Sequence, residues 1–308
     1  MNKIILDCDT GADEISAFAW LHANPEHFSL LSVIVSNGVC PLHMAVENTQ
    51  KLMSFFHISA PIFAGMERPI LRENCFLPEI YQLSFDTDMQ DLPSPSKEHF
   101  LFALYKQLME LSDGEQIDYI VTGPLTNLGL LLCTFPEVHS KIRTILFAGG
   151  AISGGDMTSS AEFNAYKDPE AAKIVFQSGI PIVLCSLDAA FKCTLTRHQI
   201  LKLCQSHTPS ARLCGNAAGR ILEATSNKYR GAVSLHSVLP LLYLCQPEIF
   251  TFKKAFLDID CSDGISRGHT ICNFRWWEQK EEDCTTIVLT DADSHRFQEA
   301  MITALYDL

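Results

Sequence analysis

Four carboxylates fall within eight residues near the start of the chain, in Asp7-Cys8-Asp9-Thr10-Gly11-Ala12-Asp13-Glu14, directly after the apolar Ile4-Ile5-Leu6. Like charges packed at the edge of a buried strand repel one another unless neutralised. A hard divalent cation with oxygen ligands, Ca²⁺ or Mg²⁺, is the simplest remedy. A structural assignment stands beside it: Asp13 and Glu14 would complement the positive end of a helix beginning near Ala12, while Asp7 and Asp9 cap the turn. That assignment serves any one of the acids and serves all four together less well. Further polar residues follow later apolar runs in the same way, namely Asn37, Thr122 and Asp188. In an open parallel sheet, ligands bind beyond the carboxyl ends of the strands, so this spacing predicts one shared crevice.

The elements that must position these residues read as alternating β and α units. Short runs rich in β-branched residues predict strands at 3–7, 30–35, 118–121, 144–147 and 182–186. Amphipathic stretches predict helices at 44–56, 97–111, 126–133 and 169–177. Residues 68–96 contain Pro69, Pro78, Pro93 and Pro95 with little periodicity, which predicts a long irregular segment of the kind that serves as a lid. The stretch 195–244 reads as helical with a break at 227–231. Strands return at 255–260, 271–274 and 286–289, and Asp293 or Ser294 caps a final helix to 305. The expectation is a single α/β domain over 1–308, with a mainly parallel central sheet flanked by helices.

Composition narrows the function classes. With 47% apolar and 19% charged residues the chain can bury a large core. A net charge of −13 with no basic run argues against nucleic acid polymers as partners. No segment reads as a signal-peptide core or a membrane span, which predicts a cytoplasmic protein. The 12 cysteines contain no C-x-x-C pair, so they read as buried free thiols in a reducing compartment rather than as a zinc or redox motif.

Two families share features with this pattern. Asp7-x-Asp9 resembles the opening of the haloacid-dehalogenase-like phosphatases, in which the first Asp is a nucleophile and the second an acid and base. That family carries Gly-Thr after the second Asp, whereas here the order is Thr10-Gly11, and no later lysine and acidic pair suits a phosphate. The second likeness covers residues 3 to about 240. The acidic loop resembles the D-x-D-x-x-x-D-D signature of the inosine-uridine type nucleoside N-ribohydrolases. Val121-Thr122-Gly123-Pro124-Leu125-Thr126-Asn127 resembles their T-G-P-L-T-N segment, and Ser36-Asn37, Gly149-Gly150, Ala161-Glu162-Phe163-Asn164, Asp168-Pro169-Glu170-Ala171-Ala172 and Leu187-Asp188 continue the order.

This resemblance implies hydrolysis of the N-glycosidic bond of a ribonucleoside to free base and ribose by metal-activated water. It implies Ca²⁺ as cofactor, a nucleoside as substrate, and a homodimer or homotetramer. By position, Asp9 would be both metal ligand and base, and Asp13 would hold ribose hydroxyls. The Thr122 carbonyl would contact the metal, Asn37, Glu162 and Asn164 would orient the sugar, and His236 would be the acid beside the leaving base.

Several positions depart from the family. Glu14 replaces an Asp, and Ser237 stands where a carboxylate ligand is expected, which should weaken Ca²⁺ binding. Asp156 replaces an Asn that faces the ribose. A His-Gly element expected within 79–86 is absent, with Tyr81 and Phe85 nearby, and Arg220 and Tyr229 precede His236. A nucleoside-binding homologue with little or no turnover is the alternative that Glu14 and Ser237 raise.

Overall fold

The computed structural model describes residues 1–83, 92–225, 231–275 and 280–307. In chain order the elements are β1 (Asn2–Cys8), α1 (Glu14–Ala23), β2 (Phe28–Val35), α2 (Leu42–Phe55), β3 (Ile62–Ala64), α3 (Phe100–Met109), β4 (Ile117–Val121) and α4 (Thr126–Thr134). They continue with β5 (Ile142–Ala148), α5 (Phe163–Lys167), α6 (Pro169–Phe176), β6 (Ile182–Cys185), α7 (Leu187–Ala190), β7 (Thr194–Thr196), α8 (Arg197–Cys204) and α9 (Pro209–Thr225). The last are β8 (Ala232–Ser234), α10 (Leu239–Cys245), β9 (Phe250–Lys254), β10 (Phe256–Ile259), β11 (Thr270–Asn273), β12 (Ile287–Ala292) and α11 (Ser294–Tyr306).

Eight strands form one sheet in the order β3-β2-β1-β4-β5-β6-β12-β9, parallel except for the edge strand β9, which runs antiparallel to β12. The expected α/β architecture with a mainly parallel sheet is therefore present. Its central strands are apolar on both faces because helices cover both sides. In β1, Ile4 and Leu6 enter the core beneath α1, α2, α9, α10 and α11, while Ile5 enters the core beneath α3, α4 and α6. The α1 helix is buried from Glu14 through Leu21, as an internal helix apolar on every side should be.

Strand order reverses between β1 and β4. The chain winds outward through β2 and β3 on one side, and through β5 and β6 on the other. That reversal opens a crevice at the carboxyl ends of β1 and β4, the place where such sheets bind ligands. Asp9 follows β1 and Thr122 follows β4, so both stand at its rim.

Several details differ from expectation. The first helix begins at Glu14, close to the expected Ala12, and Asp13 at its N-cap makes no side-chain cap hydrogen bond. The supposed helical stretch 195–244 contains α8, α9 and α10 but is interrupted by an antiparallel pair, with Leu195 of β7 opposite Val233 of β8. Residues 227–230 of the expected break, Tyr229 among them, lie outside the described residues, as does Phe85. The cysteines are free, but Cys133 is exposed and Cys75, Cys204, Cys245, Cys261 and Cys272 are half-buried rather than buried. Among the described residues no helix is long and apolar enough to cross a membrane.

Candidate active site

A cavity of about 360 Å³ lies above the carboxyl ends of the central strands. Asp9, Asp13, Glu14, Asp156, Glu162 and Asn164 line it together with Thr122, His236 and Ser237. Apolar side chains, among them Leu77, Pro78, Met157, Phe191, Ile221 and Val233, line it as well. Every residue given a catalytic, sugar-binding or metal-binding role by the resemblance lines this cavity except Asn37. That residue is buried beside the cavity and donates from Nδ2 to the Met66 carbonyl at 2.9 Å.

Asp9 is 2% exposed. Its Oδ2 accepts the Val39 N–H at 2.9 Å. Burial raises its carboxyl to about 6, against the Val39 N–H and the Lys167 ammonium, which favour the ionised form. The neighbouring backbone approaches closely: a Cβ at Gly38 would lie 1.9 Å from Asp9 Oδ2, so only glycine fits there.

Asp13 and Glu14 converge on Ser237. Asp13 Oδ2 accepts both the Ser237 N–H, at 2.7 Å, and its hydroxyl, at 2.8 Å. Glu14 Oε1 lies 2.9 Å from the same hydroxyl, and Glu14 Oε2 accepts the Gly11 N–H at 2.7 Å. One hydroxyl hydrogen cannot serve two carboxylates. The second contact is satisfied by a proton on Glu14, whose carboxyl is held well above its usual range by burial and by repulsion from Asp9 and Asp13, or by a cation that displaces this proton.

Glu162 caps α5, accepting from the N–H groups of Asn164 and Ala165 at 3.0 Å and from that of Gly150 at 2.8 Å. Burial and the nearby Asp156 nonetheless raise it to about 8. Asn164 donates from Nδ2 to the carbonyls of Thr122 at 3.0 Å and Ala148 at 2.9 Å. Asp156 Oδ1 accepts the Phe163 N–H at 2.9 Å, which pins its loop to α5. His236 Nε2 lies 2.7 Å from the Cys185 carbonyl. A carbonyl can only accept, so Nε2 carries the hydrogen and Nδ1 is the nitrogen left for proton exchange.

The donor chemistry suits a hard cation. Asp13 Oδ1, Asn164 Oδ1 and Thr122 Oγ1 are buried oxygens without a hydrogen-bond partner among the described residues. Carboxylate and carbonyl oxygens dominate this wall, as Ca²⁺ prefers. The acids are gathered here without closing into a cage: among the described residues no three His, Cys, Asp or Glu side chains already stand in ligating positions. Ser237 accounts for part of this, since it draws Asp13 and Glu14 onto itself.

Three expectations change. Asp188 does not line the cavity; its carboxylate accepts the N–H groups of Ile152 and Ser153 and shapes the loop that leads to Asp156. Arg220, which could have been a solvated charge or a reader of the base, does not line the cavity; its Nη2 donates to the Gln82 carbonyl at 3.0 Å. Asp7, the nucleophile of the phosphatase reading, is fully buried and accepts from Asn127 Nδ2 and the Tyr119 hydroxyl. The irregular segment expected as a lid is present, and its described part is fastened along its length. Asp168 accepts the Ile70 N–H, Lys167 bonds the Cys75 carbonyl, Val39 accepts from Leu77, and Ala12 donates to the Tyr81 carbonyl.

Lys167 is the residue that sequence reasoning missed. It is 2% exposed at the end of α5. The available signal was spacing: it stands three residues after Asn164, on the same face of a helix.

A mainly parallel α/β sheet thus carries an acidic, oxygen-rich cavity at its switch point. The model of the inosine-uridine preferring nucleoside hydrolase family matches residues 4–299, and the chain belongs to that family. It is 30% identical over 314 residues to the pyrimidine-specific ribonucleoside hydrolase RihA of Escherichia coli O8, covering 98% of this chain and 97% of that one. Its fold is similar to a plant nucleoside hydrolase, PpNRh1, with a TM-score of 0.89 at 22% identity over 100% of this chain and 99% of that one. It is similar also to a purine-preferring ribonucleoside hydrolase from Gardnerella vaginalis, with a TM-score of 0.86 at 23% identity over 99% and 98% of the two chains.

Proposed function

We propose that this chain hydrolyses the N-glycosidic bond of a ribonucleoside, releasing base and ribose. The observation that carries the reading is a cavity whose lining combines carboxylates and amides with apolar side chains. A nucleoside combines a polyhydroxylated sugar with a flat, largely apolar base in the same way. The cavity volume is within the usual range for such ligands, roughly 300–1,000 Å³.

In this reading Asp9 takes the proton from the attacking water. Its Val39 hydrogen bond fixes one oxygen and leaves the other for the water. Asp13, Asp156, Glu162 and Asn164 hold the ribose hydroxyls, with Asn37 supporting from behind. The carboxylates among them, when ionised, favour the cationic, oxocarbenium-like character that the sugar acquires as the bond to the base breaks. His236, when doubly protonated with Nε2–H kept on the Cys185 carbonyl, gives its Nδ1 proton to the departing base. A divalent cation, Ca²⁺ by the chemistry of its donors, would be held by Asp9, Glu14, the Thr122 carbonyl and the Ser237 hydroxyl, and when bound it would acidify water and grip the sugar diol.

The base is not assigned. Because RihA is described as pyrimidine-specific, uridine and cytidine lead the panel, followed by inosine and guanosine. The test is release of reducing sugar with and without added Ca²⁺, for wild type and Asp9→Asn. Ribose release that depends on Asp9 supports the reading. Tight nucleoside binding without any ribose release refutes it in favour of a binding protein. The same proposal includes assembly as a homodimer or homotetramer, which light scattering on the purified chain checks.

A further inference from the structure

One peptide unit is held from both sides at the edge of the cavity. The Val39 N–H donates to Asp9 Oδ2 at 2.9 Å, and the Gly38 carbonyl of the same peptide accepts from Lys167 Nζ at 3.3 Å. An amide is planar and resonance-coupled, so its two ends do not act independently. A cation drawing electron density onto the oxygen makes the N–H a stronger donor, and hydrogen bonds in such a chain reinforce one another. The ammonium, the peptide and the carboxylate therefore form a single line of charge and dipole.

The surroundings of Lys167 fit this arrangement. A buried ammonium is costly unless it is well satisfied. Here it bonds the Cys75 carbonyl as well as that of Gly38, and it stands 4.5 Å from the centre of the Phe76 ring. Among the described residues it forms no ion pair with a carboxylate. Its support comes from α5, the same short helix that carries Asn164 and is capped by Glu162. Gly38 completes the geometry, because any side chain at that position would occupy the space of the Asp9 carboxylate.

We propose that Lys167 is a positioning residue, which aligns the Asp9 carboxylate through the Gly38–Val39 peptide and ties that alignment, through the Cys75 carbonyl, to the segment covering the cavity. The inference rests on the reading of Asp9 as the base. A lysine that merely anchored the covering segment would alter substrate binding and leave the chemical step alone.

The experiment compares wild type, Lys167→Met and Lys167→Arg in two ways: kcat and KM on the best nucleoside of the panel, and amide hydrogen exchange across 37–40 and 74–78 by mass spectrometry. Lys167→Met is expected to lower kcat by about tenfold or more with KM changed by less than about twofold, the pattern of an interaction acting in the transition state. Lys167→Arg, which keeps the charge and the donors, is expected to recover most of kcat. Exchange in both segments should accelerate in Lys167→Met while the core strands stay protected. A raised KM with unchanged kcat, or unchanged exchange at 37–40, overturns the proposal. If wild type cleaves no nucleoside, the proposed function fails and the exchange comparison alone decides the role of Lys167. Should Lys167→Met not fold, Lys167→Gln, which loses the charge, is judged by the same criteria.

Discussion

The Asp9 carboxyl, raised to about 6 by burial, has to be ionised before it can accept a proton from water. Activity is therefore expected to fall at acid pH as Asp9 is protonated, at about 6 without a cation and lower with Ca²⁺ bound, and activity that persists unchanged to pH 3 would contradict its role as base. Asp9→Asn keeps the shape and removes the basicity. It should cost about 10²–10⁴ in kcat, the usual worth of a general base, and weaken Ca²⁺ binding as well, since Asp9 is also a proposed ligand. Ser237 offers the opposite manipulation. Its hydroxyl is neutral and engages both Asp13 and Glu14. Ser237→Asp adds a charged oxygen ligand and is expected to tighten Ca²⁺ binding by about tenfold or more, since affinity follows ligand charge and number. Calorimetric titration of both forms at one pH measures this. The same titration in two buffers of different ionisation enthalpy should show proton release, because Glu14 would have to give up its proton to the ion.

Elements position these residues with unequal legibility. The long central strands and α2, α4, α6 and α11 were readable because a uniform apolar or amphipathic pattern fills each one. β3, β7 and β8 have only three residues each, too short for a period to register. Leu195 and Val233 look like parts of a helical face in sequence, and it is their cross-strand pairing that makes them a ribbon. The ribose side of the site was legible because its acids and amides cluster in motifs. Lys167 and Asp188 were less so, since their roles depend on partners remote in the chain: Gly38 and Cys75 for one, Ile152 and Ser153 for the other. Arg220 belongs at this scale too, because it joins α9 to the turn that carries Tyr81. Arg220→Met removes that tie. A KM raised severalfold with kcat nearly kept is expected, and steady-state kinetics on the preferred nucleoside test it.

For the whole molecule, the buried acids couple folding to pH. Asp7 and Glu162 are each raised to about 8 and Asp9 to about 6, chiefly by burial. Each binds a proton more tightly folded than unfolded. Their stabilising contribution is complete below the ordinary carboxylate range and is lost as pH rises through about 6 and then about 8. In the presence of a chelator, the melting temperature is expected to fall between pH 5 and pH 8. Added Ca²⁺ should recover part of that loss at pH 8 by binding only the folded form. A melting temperature independent of pH, or unmoved by Ca²⁺, would contradict this account. The sheet order has a consequence for synthesis. β6 pairs on one side with β12, which is nearly the last element made. While the chain grows from Cys185 toward Ile287, the apolar residues Ile182, Val183 and Leu184 present an open edge that a neighbouring nascent chain could join. Truncation before β12 should therefore give a species that aggregates during translation, and a chaperone that shields strand edges should raise the yield of full-length protein.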